Sequence, residues 1–139
     1  MCIRDSIGRL SNVISINGGV QLDLMGQENA ESAGTRQLSG IGGQMDFLEG
    51  AFRSKGGKGF ICINSSRVTK DGERKSNIVA AIPGGSTVSA PRTMIDCVAT
   101  EYGVVRLAGK SLRERAEAMA SIAHPDFREE LMKYAREHF

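Results

Sequence analysis

A glycine-rich stretch, SGIGGQMDF at residues 39–47, could do chemistry through its backbone. Gly40, Gly42 and Gly43 precede a predicted helix, and glycines at a helix start can present bare N–H groups to an anion or a developing oxyanion. The stretch is not GxGxxG, because Met45 takes the place of the third glycine, and no Gly-Lys-Ser/Thr follows to make a P-loop. From its residues alone it fits both an oxyanion site and a turn that lets a helix pack closely.

The segment TEYG at residues 100–103 places a carboxylate, Glu101, within the apolar run at residues 94–105. A glutamate expected to be buried is either paired structurally or tuned for function. The histidines indicate no catalytic triad, because His124 fits a helix cap or turn and His138 lies near the C-terminal end. The sequence therefore offers one glycine loop and one carboxylate as candidate site groups.

Charge and composition argue against several classes of protein. The 139 residues are the length of one domain, and 18 basic against 16 acidic residues give a net charge of +2, which does not support nucleic-acid binding. No apolar stretch is long enough to span a bilayer. Cys2, Cys62 and Cys97 form an odd set without CxxC spacing, which argues against a disulfide framework or a zinc site and fits a reducing cytoplasm. Cys62 and Cys97 lie in apolar stretches and are expected to be core thiols.

Several segments that must position these groups are predicted as strands. Residues 13–24 alternate apolar and polar side chains around Asn-Gly-Gly and predict a β-hairpin. The polar residues 26–37 predict a loop, after which a helix begins near Gly43 or Gln44. GFICINS and NIVAAIP, starting at residues 59 and 77, predict two further strands.

The last third of the chain changes from strand to helix. Ser111 and Glu114 form the pattern of a capping box before a helix at residues 112–122. A second helix, at residues 126–138, follows Pro125, which fits a first helical position. The order of elements predicts an α/β fold, in which helices pack on a mixed sheet and two helices end the chain.

Three segments taken together point to one family. They are SINGGVQLDLMGQ, then SGIGGQMDFLEGAFRSKGGK, then VATEYGVVRLAGKSLRERAEAMASIAHPDFREEL. From about Val13 to its end, the chain resembles the C-terminal domain of the acetyl-CoA hydrolase/transferase family. That family includes 4-hydroxybutyrate, butyryl, succinyl and acetate CoA-transferases. The resemblance implies a CoA-transferase-like C-terminal domain spanning residues 7–139.

The resemblance also implies a ping-pong mechanism. A glutamate carboxylate attacks the acyl-CoA thioester, the enzyme passes through a glutamyl-CoA thioester, and an acceptor carboxylate such as acetate takes the CoA. Coenzyme A is then a substrate, and neither a permanently bound cofactor nor a metal is expected. The expected partners are an acyl-CoA and a small carboxylate, without nucleic acid or membrane. The full-length enzyme is expected to be a cytoplasmic homo-oligomer.

Site residues follow from the family motifs, residue by residue. Gly43 corresponds to a backbone N–H donor to the oxyanion and to a CoA contact, and Gly42 and Ser39 lie in the same CoA-binding loop. Glu101 corresponds to a position at the active site near the nucleophile. Lys70 falls near a lysine of the family's CoA site, although RVTKDGERK is longer and more irregular than the usual connection.

The chain departs from the family in one large respect. The nucleophilic glutamate lies upstream of the matched region, and Glu28, Glu31 and Glu49 belong to other motifs. The expectation is a fragment that is inactive alone. One alternative within the family is CoA-ester hydrolysis, with water as acceptor. An alternative of another class is a stand-alone CoA-binding module without catalysis.

The resemblance, which starts at about Val13, gives the first six residues, MCIRDS, no counterpart. Read as codons, ATG TGT ATA AGA GAC AG(C/T) resembles the end of a common transposase sequencing adapter. We therefore expect residues 1–6 to be translated adapter and the native sequence to begin near Ile7. Finding these bases in the source genome would contradict this expectation.

Overall fold

The computed structural model describes residues 3–139, so Met1 and Cys2 of the expected adapter segment lie outside the described residues. The helices are α1 (Ile3–Gly8), α2 (Gln44–Arg53), α3 (Leu112–Ser121) and α4 (Pro125–His138). The strands are β1 (Ile14–Gly18), β2 (Gln21–Asp23), β3 (Glu28–Asn29), β4 (Ser32–Ala33), β5 (Arg36–Gln37), β6 (Lys58–Cys62), β7 (Ser66–Val68), β8 (Arg74–Ser76), β9 (Ile78–Val79), β10 (Cys97–Thr100) and β11 (Gly103–Arg106).

The main sheet has four strands in the order β1-β6-β10-β11. The first three are parallel and β11 is antiparallel to β10, which makes the sheet mixed. The α/β fold with a mixed sheet and two C-terminal helices is therefore as the sequence predicts. Because β1, β6 and β10 run the same way, their carboxyl ends meet at one edge of the sheet, which we call the carboxyl edge.

The predicted hairpin at residues 13–24 is wrong. β1 pairs with β6, whereas β2 joins β3 and β9 in a separate three-stranded sheet. The glycines between the two strands do not reverse the chain: they carry it from one sheet to the other, and Gly19 still donates to the carbonyl oxygen of Cys62 at 3.4 Å. The polar residues expected to form a loop hold β3 and the β4–β5 ribbon.

The C-terminal helices begin as their sequence predicts. The Ser111 hydroxyl accepts from the Glu114 N–H, and the Glu114 carboxylate accepts from the Ser111 N–H, which completes the capping box of α3. His124 is the N-cap of α4: its Nδ1 accepts from the Asp126 N–H at 3.2 Å, and Pro125 occupies the first turn. His124 therefore has the structural role expected for it.

The two faces of the main sheet differ in burial. The face with Ile61 and Val98 is fully buried against the helices. On the opposite face Ile16 and Val104 are largely exposed. Cys62 lies on this open face and is exposed, so the expectation of a core thiol is wrong for Cys62 and right for the buried Cys97. The two-residue period of the strand turns Cys62 away from the face of Ile61. Cys97 pairs with Phe60 and lies on the same face as Cys62, but it is 4% exposed.

One hydrophobic core joins both sheets to the helices. Leu22 and Ile78 enter it from the small sheet, Leu48 from α2 and Met119 from α3. No helix among residues 3–139 combines the length and apolar character needed to cross a membrane.

Candidate active site

The glycine loop ends at the start of α2, where it leaves helix N–H groups open. Gly43 is the N-cap and makes no side-chain cap hydrogen bond. Residues 38–43 are all exposed. Gly42 has φ of +60°, the left-handed region that favours glycine, and a β-carbon there would meet nothing within 4 Å. The helix dipole and free N–H groups together suit a developing negative charge.

Hydrogen bonds hold this loop at both ends. The N–H groups of Leu38 and Ser39 donate to the Glu31 carbonyl oxygen at 2.7 and 3.2 Å. At the other end, the Gln44 side-chain amide donates to Oε2 of Glu28. The predicted site residues Ser39, Gly42 and Gly43 thus lie together in one tethered segment.

Glu28 lies next to the glycine loop, and no sequence motif assigns it to the site. Its side chain is fully buried, and Oε1 has no hydrogen-bond partner among the described residues. Burial raises the pKa of the Glu28 carboxyl from 4.5 to about 7, although the hydrogen bond from Gln44 acts to lower it. The only sequence signal was a glutamate in the polar stretch read as a loop.

Glu101 is not buried, contrary to the expectation from its apolar surroundings. It lies in the turn between β10 and β11, beyond the edge of the sheet, and is exposed. Its carboxylate accepts from the Ser65 N–H at 2.9 Å and from the Ser65 hydroxyl at 2.6 Å. Desolvation acts to raise the pKa of Glu101, but the hydrogen bonds from Ser65 outweigh it and the pKa lies below its ordinary value. Glu101 is therefore held as an anion.

An open cleft of about 370 Å³ lies at the carboxyl edge, next to the candidate groups rather than lined by them. It is lined by Gly19, Cys62, Ile63, Asn64, Ala99 and Thr100. The glycine loop approaches this edge through Gln44, Glu28 and Gly19, and Glu101 follows Thr100 directly. Ligands of open α/β sheets bind outside the carboxyl ends of the strands. The larger hollow, about 730 Å³, runs along charged side chains of α4 and holds none of the predicted site residues.

Lys70 lies in the exposed turn of the β7–β8 hairpin. The turn is closed by the Gly72 N–H, which donates to the Thr69 carbonyl oxygen at 3.0 Å. The foot of the hairpin adjoins Ser65, the partner of Glu101. The described residues contain no group of three or more side chains suited to hold a metal.

Comparison with known proteins assigns the family. The profile of the acetyl-CoA hydrolase/transferase C-terminal domain matches residues 3–135. The chain belongs to the acetyl-CoA hydrolase/transferase family. Within that family, it is 46% identical over 129 residues to the butyryl-CoA:acetate CoA-transferase of Anaerostipes caccae, covering 93% of this chain and 29% of that protein. It is 49% identical over 128 residues to the 4-hydroxybutyrate coenzyme A transferase of Clostridium kluyveri, covering 92% of this chain and 29% of that protein.

A solved family structure has the same fold. The 4-hydroxybutyrate CoA-transferase of Porphyromonas gingivalis is 41% identical with a TM-score of 0.75, over 98% of this chain and 29% of that one. A more distant family member is the acetyl-CoA hydrolase of Kluyveromyces lactis, 33% identical over 91% of this chain and 23% of that protein. The chain thus spans less than a third of the length of these relatives.

Proposed function

We propose that this chain is the C-terminal part of a CoA-transferase that moves CoA between an acyl-CoA and a carboxylate such as acetate. The observation that carries the proposal is 46–49% identity to named CoA-transferases over more than nine-tenths of the chain. The exposed glycine loop at the start of α2 supports it, because thioester chemistry passes through tetrahedral oxyanions that need fixed donors.

In the proposed mechanism, a glutamate carboxylate from outside the matched region attacks the acyl-CoA carbonyl, which forms a mixed anhydride and releases the CoA thiolate. The thiolate then attacks the glutamyl carbonyl of the anhydride, giving a glutamyl-CoA thioester and releasing the donor acyl group as its carboxylate. An acceptor carboxylate then takes the CoA, so the thioester bond is exchanged rather than hydrolysed. The N–H of Gly43 donates to the oxyanion and contacts CoA, and Ser39 and Gly42 shape the CoA-binding loop. Glu101, fixed as an anion by Ser65, lies near the nucleophile.

The proposal extends to CoA binding by Lys70, to the oligomeric state and location of the enzyme, and to the role of CoA. Lys70 is assigned to CoA binding as one of the cations on an exposed hairpin. The full-length enzyme is proposed to be a homo-oligomer in the cytoplasm, which agrees with Cys62 and Cys97 both being free thiols. CoA is proposed as a substrate rather than as a resident cofactor.

A hybrid enzyme tests the transferase function. This chain replaces the matching 129 residues of the Anaerostipes caccae transferase, and exchange of CoA between butyryl-CoA and acetate is measured. We expect turnover, and we expect Gly43→Val to lower kcat by about 10²- to 10³-fold, because the valine side chain blocks access to the Gly43 N–H and the effect is then that of losing an oxyanion donor. Gly84→Val is the control, since Gly84 is also an exposed loop glycine, and a β-carbon added there would meet nothing within 4 Å. A folded hybrid without turnover contradicts the proposal, and so does a hybrid whose kcat is unchanged by Gly43→Val.

The second candidate is hydrolysis of CoA esters, which the similarity to an acetyl-CoA hydrolase favours. The same hybrid decides it when acetate is omitted. Release of free CoA at a rate that acetate does not change indicates a hydrolase, whereas dependence on acetate indicates a transferase.

The isolated 139-residue chain is expected to turn over no acyl-CoA by itself, and its binding of CoA is measured by calorimetry. Turnover that is lost in Gly43→Val would overturn the fragment proposal. Saturable binding of CoA, combined with an inactive hybrid, would favour the stand-alone CoA-binding module.

A further inference from the structure

We propose that Glu28 is a positioning residue, which fixes the glycine loop of the proposed active site through Gln44. Only the catalytic consequence of this inference rests on the proposed function. Its structural part concerns how the N–H groups of Gly42 and Gly43 are held, and that can be measured without CoA.

The backbone of Glu28 is held on both sides. Its N–H donates to the Ala90 carbonyl oxygen at 3.0 Å, and its own carbonyl oxygen accepts from the Ser89 N–H at 2.7 Å. It also pairs with Leu22 in the small sheet. Because the side chain is fully buried as well, its carboxyl is a fixed point from which a neighbouring segment can be held.

The segment it holds is the loop–helix junction. Gln44 is the first residue of α2, and its side-chain amide donates to Oε2 of Glu28. Gly43 makes no cap hydrogen bond through a side chain, and its nearest neighbour is the ring of Phe47. Around Gly42 there is open space. The bond from Gln44 to Glu28 is therefore the tether that sets where the last two glycine N–H groups point.

The second carboxylate oxygen of Glu28 packs against a glycine. Oε1 of Glu28 lies against Gly19, where an added β-carbon would come within 2.6 Å of it. The same added β-carbon would also be close to Ile61 and Ile63. Among the described residues no charged side chain contributes to the pKa of Glu28, which burial raises to about 7 with Gln44 as the opposing partner. Ionisation of Glu28 makes the bond to Gln44 charge-assisted and stronger.

Nuclear magnetic resonance on the 139-residue chain tests the tether. The side-chain amide of Gln44 and the N–H of Gly43 are followed from pH 5 to 9. In the wild type we expect both signals to titrate with one midpoint near 7, and in Glu28→Gln we expect this titration to vanish while the loop stays ordered, since an amide oxygen can still accept from Gln44. Glu31→Gln is the matched control, because that carboxylate binds Ser89 instead, and the titration should persist in it.

Backbone order provides the second readout. Gln44→Ala and Glu28→Ala are expected to lower the amide order parameters of Gly42 and Gly43 from about 0.85, the value of a rigid backbone, to below about 0.6, with Glu28→Gln near the wild type. Gln44 is only partly buried, so Gln44→Ala keeps the test valid if Glu28→Ala does not fold. Unchanged order parameters in folded Gln44→Ala, or a titration of Gly43 that persists in Glu28→Gln, would overturn the tether.

The catalytic consequence is measured in the hybrid enzyme. We expect Gln44→Ala to lower kcat with little change in KM, and Glu28→Gln to retain most of kcat but lose the part of its pH dependence centred near 7. Equal kcat in the wild type and Gln44→Ala overturns the positioning role. A hybrid without any turnover instead contradicts the proposed function, and the magnetic resonance results then still decide whether the tether exists.

Discussion

At the scale of single residues, the buried carboxyl of Glu28 is expected to make the protein less stable as the pH rises. The pKa of this carboxyl is ordinarily 4.5 and is about 7 in the fold. At pH values between 4.5 and about 7, the Glu28 carboxyl of the unfolded chain has lost a proton that the same carboxyl keeps in the folded chain. The stabilisation is therefore complete below pH 4.5 and is lost as the pH rises through 7. The difference between the two pKa values corresponds to about 3 kcal/mol in the free energy of unfolding.

Urea unfolding from pH 4 to 8 checks this expectation. The free energy of unfolding of the wild type, minus that of Glu28→Gln, should fall by about 3 kcal/mol across this range. Parallel pH profiles for the wild type and Glu28→Gln would show that the carboxyl is solvated in the folded protein.

At the scale of elements, local signals succeeded where one segment determines its own structure. The start of α2, the capping box of α3 and the proline of α4 depend on residues within one turn, and all three are as the sequence predicts. The hairpin at residues 13–24 failed for the opposite reason. Its alternation indicates strands correctly, but β1 pairs with β6, about 44 residues further along the chain, and β2 pairs with the neighbouring β3 and with β9, about 56 residues further along.

The capping box of α3 gives an element-scale prediction. Ser111→Ala removes the hydroxyl that accepts from the Glu114 N–H and is expected to lower the free energy of unfolding by about 1 kcal/mol. Ser121→Ala, at the other end of the same helix, is the control, because its hydroxyl only donates to the Ala118 carbonyl oxygen on the surface. Equal effects of the two substitutions in urea unfolding would contradict the role of the cap.

The two faces of the main sheet give a second element-scale prediction. Ile61 and Ile16 lie in paired strands, yet Ile61 is 0% exposed and Ile16 is 69% exposed. We expect Ile61→Ala to cost about 2 to 5 kcal/mol of unfolding free energy, because it leaves a cavity. Ile16→Ala should cost about 0.5 kcal/mol or less. Similar losses for both would mean that the open face is covered in solution.

At the scale of the whole molecule, the candidate site was predictable only in part. The glycine loop and Glu101 are visible as motifs, because each is a short run of residues. The burial of Glu28 is not visible in the same way, since it is produced by Gly19, Gln44 and Ala90, which come from three other segments. The exposure of Glu101 likewise depends on the antiparallel return of β11, which places the turn outside the sheet.

The N-terminal helix α1 gives a prediction for the stability of the whole molecule when the chain is shortened in two steps. In residues 3–6, Arg4 pairs with Glu49 at 2.9 Å and Asp5 pairs with Arg53 at 3.2 Å. Arg4, Asp5 and Arg53 are about half exposed, so solvent screens both pairs and neither adds much to the stability. A chain shortened to residues 7–139 should therefore lose only about 1 kcal/mol of unfolding free energy relative to the full chain.

Shortening to residues 11–139 should cost clearly more, about 2 kcal/mol or above. It removes Ile7, which packs so closely on Gly50 that an added β-carbon there would come within 2.7 Å of it. It also removes the Leu10 carbonyl oxygen that accepts from the buried Ser54 hydroxyl at 2.6 Å. Urea unfolding of the three chains at one pH measures both steps. A large loss at the first step, or none at the second, would mean that α1 is held to α2 mainly by its surface charges rather than by packing.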